Sequence, residues 1–320
     1  MTGHILRRAA AMAVVLLIVL TLVFFLMRMA PGSPAYLIVG ADATEAEIAQ
    51  VERELGLDQP LLVQYGTELG RILTGDLGDS IFTGDPVVHE LMLRLPVTLE
   101  LTAVSLAFWI PLALLAGRFA AAHRDTAADA AVRVAGNLSI AVPSFWLGAL
   151  LILLFGLYLP GVLPSSGWVG FGTDPLGHLR ALVLPAFVLG LGTFGVTAST
   201  LRVSMLESVR TDYVRFGHAM GLSERRINHS LAFRNSLLPT TAVVGQLVGV
   251  MLSGSVLIEN LFNLPGMGRL LVDGIRRQDY PLAVGATLAL AVFFLLANLI
   301  VDILYAALNP RVRQKFAGAR

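Results

Sequence analysis

Few residues in this 320-residue chain are spaced for catalysis. The six histidines, His4, His89, His123, His178, His218 and His229, stand at no metal-ligand spacing. There is no cysteine, which excludes disulfides, iron–sulfur clusters and thiolate zinc sites. Ser144 follows Pro143 in an apolar run, but no His and Asp are placed to activate it as a nucleophile. Lys315 is the only lysine, preceded by Arg313-Gln314 and followed by Phe316. A phosphate-cradling loop needs a glycine-rich turn ending in Lys and Ser or Thr. The chain therefore holds no nucleotide site of that type, and no metal, cofactor or catalytic residue is expected in it. Asp302 is read as the one acid inside an apolar span, and an intramembrane charge is a functional candidate by default. It is compatible with a proton path, although its place near the end of the span favours pairing with a basic residue of a neighbouring helix.

The chemistry the sequence does support is docking. Residues 213–239, YVRFGHAMGLSERRINHSLAFRNSLLP, are basic and glycine-punctuated in an otherwise oily chain. Thr211 or Asp212 can cap a helix starting at Tyr213. Tyr213, Phe216 and Met220 then share one apolar face. Gly217 and Gly221 are four apart, which lets a neighbour come close, and Gly221 is a natural helix stop. Ser223 can cap a second helix carrying Arg225, Arg226 and Arg234, before Leu238-Pro239 opens the next apolar run. A short helix with an apolar face can seat in a groove on another protein. A plain loop whose arginines only set topology explains the charge. It does not explain paired glycines beside an aromatic–methionine face.

The elements that position this stretch are apolar helices. Charged residues are 14% of the chain and apolar ones 56%, with mean hydropathy +0.74. Soluble domains carry about 25% charged residues. Six apolar runs reach spanning length: 9–27, 95–121, 134–159, 181–201, 238–258 and 282–308. The first is too long for the core of a secretory signal and reads as an uncleaved anchor. No run of short alternating strands suggests a barrel. The expected fold class is an all-α polytopic membrane protein with six transmembrane helices. Arg7 and Arg8, Arg118, Arg124 and Arg133, the arginines between 202 and 234, and the basic tail all fall on one face. They are most of the 23 basic residues, so the positive-inside rule places both termini and residues 213–239 in the cytoplasm.

The segment 31–94 is too long for a simple loop. Pro31-Gly32-Ser33-Pro34 makes a turn-forming exit. Residues 44–55 read as a helix, with Thr44 and Glu47 as a capping box, Ile48, Val51 and Leu55 on one face, and Gly56 as its stop. A second short helix spans about 61–73. Gly75, Gly78 and Gly84 break the chain beyond it. The segment forms a small outer-face subdomain, either packed over the spans or docking an external partner. The loop 259–281 places Leu261, Phe262 and Leu264 before Pro265-Gly266, and then Met267, Leu270 and Leu271 at helical spacing. It fits a dip into an outer pore mouth and equally a lid.

Residues 213–239 resemble the cytoplasmic EAA loop of binding-protein-dependent ABC importers. Gly221 and Leu238-Pro239 match the glycine and the ending of that pattern. Arg215, Phe216 and Gly217 stand where the general Glu-Ala-Ala triplet would, a departure expected in the dipeptide/oligopeptide branch. The resemblance continues in order through RMAPGSP (28–34), GLDQPLLVQY (56–65), GDLGDS (75–80), LPVTLEL (95–101), SIAVPSFWLG (139–148), ENLFNLPGMGRLLVDGIRRQDYP (259–281) and DILYAALNPR (302–311). The chain is thereby similar to the B-type permease subunit of that branch. The resemblance implies an ABC type I importer permease fold. Its parts are the N-terminus and first helix (1–30), an extracytoplasmic subdomain (31–94) and a five-helix core (95–308). The core contains the cytoplasmic coupling loop 202–237 and the outer loop 259–281, and a cytoplasmic tail (309–320) completes the chain.

By the same resemblance, Tyr213, Arg215, Phe216, Gly217, His218, Met220, Gly221, Ser223, Glu224 and Arg225 couple to an ATPase. The implied partners are a homologous second permease, two ABC ATPase subunits or one two-lobed ATPase carrying ATP and Mg, and an extracytoplasmic substrate-binding protein, with membrane lipid around them and no nucleic acid. The location is the bacterial cytoplasmic membrane and the cargo is peptides or similar small solutes. For a translocation path, small and polar residues on spans four and five qualify: Thr193, Thr197, Gly245, Gln246, Gly249, Ser253 and Ser255, with Asn260 beyond. Close helix packing favours the same residue types. Gln246 stands out because a buried amide on a span needs a partner or water. The readings from other classes are an ion-coupled secondary transporter using Asp302 and a membrane anchor for a signalling ATPase.

Overall fold

The structure is a computed structural model that describes residues 2–40, 42–223 and 226–308, with side chains outside 2–6, 228–230, 302 and 304–308. Glu224, Arg225, the Asp302 side chain and the tail 309–320 lie outside the described residues. Among the described residues the regular elements are helical: α1 (Thr2–Met29), α2 (Pro34–Val39), α3 (Glu45–Glu54), α4 (Leu61–Leu73), α5 (Val87–Ala122), α6 (Ala127–Ala141), α7 (Ser144–Leu153), α8 (Pro175–Val209), α9 (Asp212–Ala219), α10 (Phe233–Leu261), α11 (Met267–Arg276) and α12 (Tyr280–Leu308). Short π-helical turns extend α7 over Leu154–Tyr158 and precede α10 over Ile227–Ala232.

Five of these helices, α1, α5, α8, α10 and α12, are long and apolar enough to cross a membrane. The third expected span, 134–159, is not one straight helix. It is the pair α6–α7, bent by 93°. The break falls at Val142-Pro143, where Val142 takes extended geometry (ψ 120°). A proline ring disfavours helical backbone in the residue before it and brings no N–H of its own. The fifth span also departs from expectation. It starts at Phe233 and runs through Pro239 rather than opening there. The hydroxyls of Ser236, Thr240 and Thr241 bond back to the carbonyls of Ala232, Ser236 and Leu237, which supports the backbone around the proline.

The chain divides into two compact units. One comprises Thr2–Thr98 and Pro265–Phe293. In it the Thr44–Glu47 capping box forms as expected: Thr44 N–H donates to Glu47 Oε2 (2.8 Å) and Glu47 N–H to Thr44 Oγ1 (3.4 Å). The helix α4 lays Tyr65, Leu69 and Ile72 on Leu20 of α1 and on Val284 and Leu288 of α12. Val87 and Leu91 of α5 pack with Met267 and Leu270 of α11. Asp279, fully enclosed, accepts from Ser80 Oγ (2.5 Å) and from the N–H groups of Ile81 and Leu282 (both 3.3 Å). The segments 31–94 and 265–281 thus belong to one compact unit together with α1.

The other unit comprises, among the described residues, Leu99–Leu264 and 294–308. The helix α8 is its centre, and α6, α7 and α10 pack around it. Small residues set the separation. Gly195 lies against the Gly136 carbonyl and Ser139 of α6, and Gly117 against the Ala198 carbonyl. Trp109 Nε1 and Ser105 Oγ of α5 donate to the Phe187 and Ala186 carbonyls of α8 (2.9 and 2.8 Å).

Candidate coupling helix and spanning faces

The sequence after α8 folds as local chemistry dictates. Thr211 is extended (φ −80°, ψ 156°) and occupies the N-cap position of α9. Its hydroxyl turns to the Ser208 carbonyl (2.5 Å) instead of capping. Asp212 in the first turn complements the helix dipole. At the other end, Leu222 N–H bonds the Gly217 carbonyl (3.1 Å) and Gly221 N–H the His218 carbonyl (2.9 Å), with Gly221 at φ +75°. This is a Schellman ending, which satisfies two carbonyls the helix would otherwise leave open.

The two faces of α9 differ. Val214 and Gly217 are buried. A Cβ on Gly217 would stand 3.2 Å from Leu231 and 3.4 Å from Leu222, so this face is pressed on the returning chain. The other face carries Tyr213, Phe216 and Met220, which are 40%, 67% and 67% exposed. Arg215, His218, Gly221 and Ser223 are also at the surface. Glu224 and Arg225 are outside the described residues. Ser223 caps the returning chain as expected: its Oγ accepts Arg226 N–H (3.4 Å) and its carbonyl accepts Ile227 N–H (3.0 Å), and the π-helical turn Ile227–Ala232 runs directly into α10, so this helical stretch continues into the span. Gly221 has open space where a Cβ would stand, so its role is backbone conformation rather than close approach. The base of this hairpin is fastened by Ser208 Oγ to Ser236 Oγ (3.2 Å) and by Leu201, Met205 and Ala232 packed together.

The polar residues of the spans sort into two groups. Gly245 and Gly249 lie directly under Val301 and Phe294 of α12, and serve packing. Thr193, Thr197 and Ser255 are enclosed, and Thr197 Oγ1 has no hydrogen-bond partner among the described residues. Gln246 and Ser253 are at the surface, in a row with Val250 and Leu257 at helical spacing. Gln246 is therefore not a buried amide in this chain. Asn260 is half-buried and donates to the Val256 carbonyl (2.8 Å).

Two ion pairs carry charge into the spanning region, and sequence reasoning passed over both. Asp129 of α6 is fully buried and accepts both Nε and a terminal nitrogen of Arg202 of α8 (2.6 Å each). His178 Nε2 of α8 donates to Glu100 Oε1 of α5 (2.6 Å), and His178 Nδ1 donates to the Val169 carbonyl (2.7 Å). Glu100 lies inside the run 95–121, so Asp302 is not the only acid on a span. The signal was present in that position, and a scan of the spans for charge would have found it.

Long apolar helices, one of them a bent pair, and a short helix with an uncovered apolar face define a multi-pass helical membrane protein of transporter type. The chain belongs to the family of the binding-protein-dependent transport system inner membrane component, whose pattern matches residues 110–314, and the N-terminal pattern of the same membrane component covers residues 1–102. It is a permease subunit of an ABC importer with the type I permease fold. It is 42% identical to a protein of Brucella abortus (strain 2308) over 98% of this chain and 99% of the relative, whose name assigns it to a peptide transport system as permease. It is 37% identical to the di/tripeptide transport system permease protein of Pseudomonas aeruginosa (strain UCBPP-PA14), over 98% and 100% of the two chains. Identity to the glutathione transport system permease protein of Salmonella choleraesuis (strain SC-B67) is also 37%, over 98% and 100%. This membership does not favour a secondary transporter driven through Asp302.

Proposed function

We propose that α9 is the coupling helix of a peptide importer and seats its Tyr213–Phe216–Met220 face in a cleft of an ATPase subunit. Both termini and α9 then face the cytoplasm, as the clustering of arginines supports. The observation that carries the reading is the division of α9 into a face pressed on its own chain and an apolar face left open. Hot spots of protein interfaces are few, aromatic and seated in pockets, and Phe216 fits that description. The partners are a second, homologous permease, two ATPase subunits or one two-lobed ATPase holding ATP and Mg, and an extracytoplasmic binding protein. Hydrolysis belongs to the ATPase subunits, and no nucleic acid takes part. The surface row of Gln246 and Ser253 on α10 faces the second permease and the path of the solute. Closure of the ATPases displaces α9 and biases the permeases between inward- and outward-open states, since a population shifts only through differential contacts. The names of the relatives support small peptides, glutathione included, as cargo.

The test is co-purification of the ATPase with a Phe216→Asp permease. Loss of the ATPase from a permease still present at normal abundance is expected. Retention of a full complement of ATPase overturns the docking surface. Uptake of labelled dialanine, trialanine and glutathione by vesicles holding the complete complex then resolves the cargo class.

A further inference from the structure

The buried pair Asp129–Arg202 is built more firmly than a topology-setting arginine needs. Asp129 is enclosed in the first turn of α6, just after its cap Thr126, whose hydroxyl accepts Asp129 N–H (3.4 Å). Both carboxylate oxygens are taken by the Arg202 fork at 2.6 Å, and Asp125 N–H adds a third bond (3.2 Å). Arg133 stands 3.7 Å away on the same helix. A planar, two-point guanidinium–carboxylate contact fixes orientation as well as distance. Removing one partner of such a pair leaves a buried charge without compensation.

Its place in the fold gives the contact a direction. Arg202 sits roughly two turns before the end of α8, and α9 begins beyond that end, after Arg210 and Thr211. The same end is tied to the start of α10 through Ser208–Ser236 and the Leu201–Met205–Ala232 cluster. Higher up, α8 approaches α6 at Gly195, which lies against the Gly136 carbonyl, Ser139 and the Ile140 side chain, a close contact that fixes separation but carries no charge-assisted bond. The ion pair is the directional link between the two helices.

We infer that Asp129 and Arg202 are positioning residues that make α6 travel with α8, so that displacement of α9 is handed to the bent pair α6–α7. This rests on α9 being the docking helix. The pair touches neither ATPase nor solute. It acts by holding two helices as one rigid piece, and coupling is carried through elements with discrete arrangements.

The experiment uses the complete complex in lipid. The chain has no cysteine, so spin labels on Val134→Cys of α6 and Val203→Cys of α8, both exposed positions, report the separation of these helices when the permease is labelled before it is assembled with unlabelled partner subunits. With the native pair, adding ATP leaves that distance unchanged. With Asp129→Asn, ATP shifts or broadens it. Arg202→Lys keeps the charge but loses the fork and gives an intermediate broadening, which supplies the reading if Asp129→Asn assembles poorly. Assembled complexes of both variants that keep the native, ATP-independent distance overturn the linkage, as does a native pair whose distance already changes with ATP. Phe216→Asp run in parallel separates the two readings. If it sheds the ATPase while the pair variants look native, only the linkage fails; if it keeps the ATPase, the docking reading fails whatever the labels report.

Discussion

Gly217 lies against Leu231, with 3.2 Å between the leucine Cδ1 and the point where a glycine Cβ would be. The absence of a side chain at Gly217 is what lets α9 rest on the π turn that leads into α10. Gly217→Val pushes the helix off this seat. Overpacking of this kind costs about 1–3 kcal/mol. The expected outcome is a permease inserted at normal abundance, in a complex whose ATPase subunits no longer raise their hydrolysis in response to the binding protein. A normal response, measured in the reconstituted complex, counts against the seat.

Phe216 points the other way and is 67% exposed among the described residues. Truncation to alanine removes aromatic area without disturbing the Val214–Gly217 face. An interface hot spot is worth about 2 kcal/mol or more, close to a thirtyfold change in affinity by the tenfold per 1.4 kcal/mol conversion. Titration of detergent-solubilised ATPase onto the Phe216→Ala permease is the measurement. Equal affinities for the two forms would falsify a central role for this ring.

Gly221 tests backbone conformation, because no described residue stands within 4 Å of its missing Cβ. Its φ of +75° is left-handed. A β-branched residue there costs about 1–2 kcal/mol, whereas Asn and Asp tolerate the conformation. Gly221→Val is expected to lower transport several-fold, while Gly221→Asn and Gly221→Asp stay close to the natural chain. Equal losses in all three would point instead to a requirement for an uncovered backbone at the ATPase.

Local signals were legible in the sequence and long-range ones were not. The Thr44–Glu47 box and the stop at Gly221 depend on residues a few positions apart, and both formed where expected. The apolar face of α9 was legible too, but not which face the chain itself covers, since Val214 and Phe216 are both apolar. Pro143 and Pro239 obey the same local rule with opposite results. The apolar run continues across Pro143 and hid a 93° bend, while Pro239 lies inside a helix that continues through it. Helix packing around each proline decides this, and that information is not local. Asp279 and Ser80 are 199 positions apart, and no spacing rule connects them.

Asp279 holds one unit together through three donors from two segments, Ser80 Oγ and the Ile81 and Leu282 N–H groups. Asp279→Ala leaves these donors without their acceptor in an enclosed site. Each unsatisfied buried group costs about 1–3 kcal/mol. The variant is expected to unfold at lower temperature and to expose the segment 31–94 to protease, while ATPase binding through α9 is unaffected. Unchanged proteolysis of 31–94 would show that the carboxylate is dispensable there.

Gln246 and Gly245 are neighbours on α10 with opposite surroundings. Gly245 is pressed on Val301, whereas Gln246 stands in the exposed row with Val250, Ser253 and Leu257. A large residue at Gly245 has nowhere to go, so Gly245→Trp is expected to reduce the amount of folded permease. Gln246→Trp adds bulk on the open face. It is expected to leave abundance and ATPase binding intact while it blocks uptake. The two variants are compared for membrane abundance, ATPase co-purification and solute flux in the same vesicles. If Gln246→Trp transports normally, the exposed row of α10 is a lipid-facing surface and the solute passes elsewhere.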